Sequence, residues 1–128
     1  MKVSRFEELI AWQKAKALCV QVYRVTNTGL FARDFGLRDQ IQRASVSVMS
    51  NIAEGFDRKS RPEFARFLTF ARGSAGEVRS QLYLAAELGY VPPDEAAELI
   101  AACNEVTRIL TGLRKSLDRS YQALGTRH

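Results

Sequence analysis

The amino-acid sequence predicts an all-α protein, an antiparallel up-and-down four-helix bundle in a single domain over residues 1–128. Two observations carry that expectation. Apolar residues recur at steps of three and four from end to end, and nowhere does the chain alternate at period two for long enough to form a sheet. Four such periodic runs follow one another through mostly short connections, which favours antiparallel neighbours.

Helix one is expected from about Phe6 to Thr26, with Ala11, Ala15, Leu18, Val22 and Val25 forming its core stripe and Gly29 closing it. The segment "TGLFARDFG" is the longest irregular connection, and its Phe31 and Phe35 are candidates for a subunit contact. Helix two is expected from about Leu37 to Phe56, buried along Leu37, Ile41, Ala44, Val48 and Ile52. Helix three opens at "SRPE", 60–63, where a serine N-cap, a proline in the first turn and a glutamate at the third helical position make a capping box. Its stripe runs through Phe64, Phe67, Leu68, Ala71, Ala75, Val78, Leu82 and Ala85 to an end near Leu88, with Gly89 beyond. Helix four starts in "PPDEAAE", whose acids suit the positive end of a helix dipole, and keeps its spacing from Leu99 through Tyr121 and Leu124.

Helix two carries a second, polar line. At 100° per residue, Gln40, Arg43, Ser47, Asn51, Glu54 and Arg58 fall within about 60° of one another, beside the apolar stripe. Helix three contains "RGSAGE", 72–77, where each glycine costs about 1 kcal/mol relative to alanine. The expectation is that helix two passes close to Gly73, Ser74 and Gly76. Its stripe, with Gly55, would then be a partly buried seam reaching Ser74 and Glu77, in which Arg43 or Arg58 faces Glu77 and Arg58 also supports Glu54.

Composition restricts the chemistry. The chain has a net charge of +5 and a pI near 9.6, and 14 of its 19 basic residues are arginine, the side chain whose fork matches phosphate and carboxylate. Cys19 and Cys103 lie far apart on apolar stripes and read as buried thiols in a reducing compartment. No cleavable leader pattern and no apolar run of about 18 residues is evident, so a cytoplasmic protein is expected. The only histidine is His128, no serine, cysteine or lysine has an evident activating base, and no metal-ligand spacing occurs. A non-enzymatic protein with no cofactor, no metal and no catalytic residue is the expectation.

Charge is segregated along the chain. Residues 58–79 hold six bases (Arg58, Lys59, Arg61, Arg66, Arg72, Arg79) and two acids, whereas 87–105 hold five acids and no base. In one reading Arg58, Lys59, Arg61, Arg66 and Arg72 contact the phosphates of RNA or DNA, with oligomerisation adding avidity. In the other the two patches attract neighbouring subunits, or are simply solvated. Trp12, Phe31, Phe35, Phe70 and Tyr90 could stack bases, although aromatics in a small bundle more often serve a core or interface. No sequence-reading module is present.

The runs "FGLRDQIQRASVSVMSNIAEGFDR", "SRPEFARFLTFARGSAGEVRSQL", "ELGYV" and "AWQKAKALCVQVY" resemble the bacterial four-helix-bundle proteins named after the intervening sequences of 23S ribosomal RNA genes, also called S23 ribosomal proteins. The resemblance spans nearly the whole chain, and "SNIAEG" and "GS..E" are its specific parts. It implies a homo-oligomer, a pentamer of bundles, and kinship to the basic accessory protein of diversity-generating retroelements, which works with nucleic acid. The ribosomal name does not establish a ribosomal role. The family pattern marks Gln40, Arg43, Ser47, Asn51, Glu54, Gly55, Arg58, Gly73, Ser74 and Glu77. Family members often have proline where this chain has Met49, and again in the first connection, which leaves the course of both segments open.

Overall fold

The computed structural model describes residues 3–125, with side chains to residue 118. Four helices run through it: α1, Ile10–Thr26; α2, Phe35–Asp57; α3, Arg61–Glu87; and α4, Pro93–Gly125. No strand is present among the described residues. Consecutive helices pack against each other, and α1 closes on α4, so the chain is an all-α four-helix bundle. Tyr121 and Leu124, expected on the stripe of α4, lie outside the described side chains.

The apolar stripes meet in one core. Ala15, Leu18 and Val22 of α1, Ile41, Val48 and Ile52 of α2, Leu68, Val78 and Leu82 of α3, and Cys103, Val106 and Leu110 of α4 are all buried. Burial in these apolar surroundings pushes the Cys103 thiol up to about 11, because the thiolate would lose its hydration. That thiol stays protonated at neutral pH, and both cysteines are unpaired.

Local chemistry accounts for the helix ends. Asp34 Oδ1 accepts from the Leu37 amide at 3.1 Å and caps α2, so that helix starts two residues before its first core leucine. Ser60 Oγ accepts from the Glu63 amide and caps α3, with proline in the first turn, but the expected capping box is only half formed, because the Glu63 carboxylate turns to Arg66. Gly89, at φ +75°, ends α3 in a Schellman arrangement: Gly89 N–H reaches the Ala86 carbonyl, and Tyr90 N–H the Ala85 carbonyl.

Two expectations at the N-terminal side fail. The first helix does not run unbroken from Phe6. A 3₁₀ turn, Phe6–Glu8, precedes an extended Leu9, and α1 begins only at Ile10. The Glu8 carboxylate, accepting from the Arg5 and Ser4 amides at 2.9 Å, stabilises that separate turn, and Leu9 buries its side chain in the core. Phe31 is no surface contact either: it is fully buried and lies against Tyr90, ring centres 5.3 Å apart. Phe35 is exposed, with the Arg38 guanidinium 4.8 Å from its ring centre.

Tyr90 also donates its hydroxyl to Asp34 Oδ2 at 2.9 Å. This joins the α3–α4 connection to the α1–α2 connection and sets both at one end of the bundle. The α2–α3 turn, residues 58–60, therefore lies at the other end, beside the C-terminal half of α4. Arg61, Pro62 and Ala65 share a cleft there with Leu117 and Asp118.

Candidate functional site

The polar line of α2 divides into a short seam and an exposed edge. Ser47 Oγ and Ser74 Oγ hydrogen-bond at 2.9 Å across α2 and α3, and Asn51 Nδ2 donates to the Ser47 carbonyl and hydroxyl at 2.8 and 3.0 Å. Gln40, Arg43 and Glu54 are exposed instead. Among the described residues no ion pair joins Arg43 or Arg58 to Glu77, which is exposed, so the expected reach of the seam to Glu77 is corrected.

The close approach of α2 to α3 occurs at a different glycine from the pair in "RGSAGE". A Cβ on Gly55 would lie 2.6 Å from Phe67 Cβ and 3.2 Å from Phe64 Cδ1. Gly55 is buried, whereas Gly73 and Gly76 are exposed with nothing within 4 Å of the space a Cβ would take. The reason is helical phase. Ser74 and Ala75 point inward, so their glycine neighbours point out.

The five basic residues expected to contact phosphate fall into two groups. Arg58 bonds Glu54 at 3.0 Å, approaches Glu63 at 3.8 Å and lies 5.0 Å from the centre of the Phe67 ring. Arg66 pairs with Glu63 at 2.9 Å and stacks near Phe67 and Phe70. The Arg66 hydrogen bond, with the charges of Arg66 and Arg58, holds the Glu63 carboxyl below its usual range. Arg58 and Arg66 are thus partly neutralised. Lys59, Arg61 and Arg72 are exposed and make no ion pair among the described residues. Lys59 sits in the left-handed region at φ +59° as the chain turns between α2 and α3.

A second cationic feature lies between α3 and α4, where Thr69, Arg72, Gly73, Gly76 and Arg79 share an open groove of ≈ 430 Å³ with Thr107. Arg79 donates to Asn104 Oδ1 at 2.9 Å, and Arg114 Nη1 donates to Thr69 Oγ1. Three acids of α4 face α1 instead: Glu105 pairs with Lys14 of α1 at 3.4 Å, and Glu95 and Glu98 share a cleft with Arg24 of α1. Arg79 is one of the six bases of residues 58–79, and its neighbours Thr107 and Arg114 lie well beyond that run in sequence. The signal was present as Arg72, Gly76, Arg79 and Tyr83 at steps of four, three and four.

Among the described residues no group of His, Cys, Asp or Glu is placed to hold a metal ion, and no helix is long and apolar enough to cross a membrane.

No curated protein matches the chain. A solved structure from Bacteroides thetaiotaomicron, described as a protein of unknown function from the S23 ribosomal protein family, superposes with a TM-score of 0.76 at 22% identity. The match covers 83% of this chain and 99% of that one, and at this identity it establishes the shared fold. The family model described as 23S rRNA-intervening sequence protein matches residues 7–112, and with that span, these helices and this seam, the chain belongs to that family.

Proposed function

We propose that this protein is a non-enzymatic, cytoplasmic nucleic-acid-binding protein that works as a homo-oligomer, a pentamer in the resemblance stated above. It would contact phosphates through the basic surface around the α2–α3 turn and along α3. The observation that carries this reading is the set of exposed cations Lys59, Arg61 and Arg72, which form no ion pair among the described residues. Arg58 and Arg66 flank them, paired with Glu54 and Glu63 and stacked on phenylalanine rings, which orients their guanidinium groups beside the patch. Rings of such patches on several subunits would raise avidity without new contacts. RNA is the first probe, given the family's link to ribosomal RNA genes.

A second reading, a protein-binding adaptor, has one observation in its favour. Trp12, Val20, Tyr23 and Met49 line an open, almost wholly apolar groove of ≈ 560 Å³ between α1 and α2, edged by Lys16 and Arg24. Fluorescence anisotropy of labelled RNA and DNA, titrated with nucleic-acid-free protein at several salt concentrations, separates the two. Saturable binding that weakens with salt and is lost in a folded Lys59→Glu, Arg61→Glu variant supports the first. Absence of binding at low salt leaves the adaptor reading.

A further inference from the structure

The basic surface is not one patch, because an open channel runs along the seam of α3 and α4, apart from the α2–α3 turn. Arg72 and Arg79 stand on its α3 wall, and Thr69 and Thr107 add hydroxyls on either side. On α4, Arg114 reaches across to Thr69, and Arg108, exposed, follows Thr107 directly and stands four residues beyond Asn104, the partner of Arg79. Cations therefore occupy both walls. Of the acids of α4, Glu95, Glu98 and Glu105 lie on the flank that meets α1, whereas Asp118, 4.0 Å from Arg114, lies by the channel's end.

The floor is unusual in a second respect. Gly73 and Gly76 sit mid-helix, where glycine is unfavourable, yet nothing inside the molecule needs their missing side chains. They keep the channel open to whatever lies over it. Tyr83 is 57% exposed and stands one turn beyond Arg79 on the same face of α3.

We propose that the α3–α4 channel is a binding site for a single strand of RNA or DNA. The strand's phosphodiester backbone would run over Gly73 and Gly76 between Arg72, Arg79, Arg108 and Arg114, with a base stacked on Tyr83. This rests on the nucleic-acid reading above and assigns the strand form and path. The groove follows the seam of two packed helices, whose axes lie about 8–10 Å apart, a line that suits one backbone running along it. Cations on both walls with a neighbouring aromatic ring match the way single strands are held without regard to sequence.

The test uses a labelled 12-nucleotide single-stranded RNA, its DNA equivalent and the corresponding duplexes, read by anisotropy against the intact protein. The single strands should bind at least tenfold tighter than the duplexes. Gly76→Leu, which has open space for its side chain, should keep the fold with no drop in thermal midpoint yet weaken single-strand binding by about tenfold or more, since stacked and ionic contacts are of that order. Arg72→Ala and Arg79→Ala should each weaken binding about fivefold and reduce the salt slope, Tyr83→Ala should weaken it with the slope unchanged, and Lys16→Ala on α1 should change nothing. Wild-type affinity in folded Gly76→Leu, with binding lost only in the Lys59→Glu, Arg61→Glu variant, would overturn the channel while leaving nucleic-acid binding intact. Equal affinity for duplex and single strand would overturn it as well. No binding of any strand at low salt would overturn both readings together.

Discussion

Gly55, Gly73 and Gly76 are the same residue type on neighbouring helices, and the structure gives them opposite roles. An added methyl at Gly55 would meet Phe67 at 2.6 Å, so Gly55→Ala should cost about 1–3 kcal/mol through overpacking. The same change at Gly73 or Gly76 meets nothing and should stabilise α3 by about 0.8–1 kcal/mol each through helix propensity. Urea unfolding of the three variants checks both signs. The cost of the "RGSAGE" glycines was legible in the sequence, but the helix that approaches closely does so at Gly55, which stands in "SNIAEGF" and reads there as part of a helix end. Which glycine lies under a neighbour depends on where two helices cross, and a single helix's period does not encode that.

Tyr90 supplies a pH dependence at the same scale. Its hydroxyl donates to Asp34, and that bond, with burial and the Asp34 charge, raises the tyrosine above its ordinary value near 10.0. A group raised in the folded state contributes stability that is fully present below the unfolded value and is lost as pH rises through the folded one. Stability should therefore fall above about pH 10, and Tyr90→Phe should remove that part of the decline. Melting temperatures of both proteins from pH 8 to 11.5 would decide it.

At the scale of elements, caps were legible where their signals were complete. "SRPE" marked the start of α3, and Gly89 marked its end. The start of α2, expected near Leu37, lies two residues earlier at Phe35, because Asp34 caps it from inside a loop of mixed character. Asp34→Ala should cost about 1 kcal/mol from the cap alone, and more if the bond to Tyr90 goes with it. The break at Leu9 was missed for a different reason: its apolar side chain keeps the helical period even though its backbone is extended. Lys59 marks the opposite case, an ordinary residue in a conformation that favours glycine. Lys59→Gly should stabilise the α2–α3 turn by about 1 kcal/mol while weakening nucleic-acid binding, a trade that unfolding and anisotropy together would reveal.

For the whole molecule, bundling rearranges a charge pattern that looks simple in one dimension. Residues 87–105 read as an acidic block, yet Glu95, Glu98 and Glu105 turn toward α1, where Lys14 and Arg24 meet them. The opposite flank of α4 is left to Asn104, Thr107, Arg108 and Arg114, beside Arg72 and Arg79 of α3. Fold class, helix order and nearly every core position followed from periodicity, because burial of a stripe is a local property of each helix. The candidate site did not follow, because a groove belongs to two helices at once. Half of its cations come from a helix that, taken alone, begins with acids.

The salt dependence of single-stranded RNA binding tests the central claim most directly. With about three to four phosphates neutralised in the channel, the logarithm of affinity should fall against the logarithm of salt concentration with a slope of about −2 to −3. A measured slope near zero, or no saturable binding at low salt, would contradict the account.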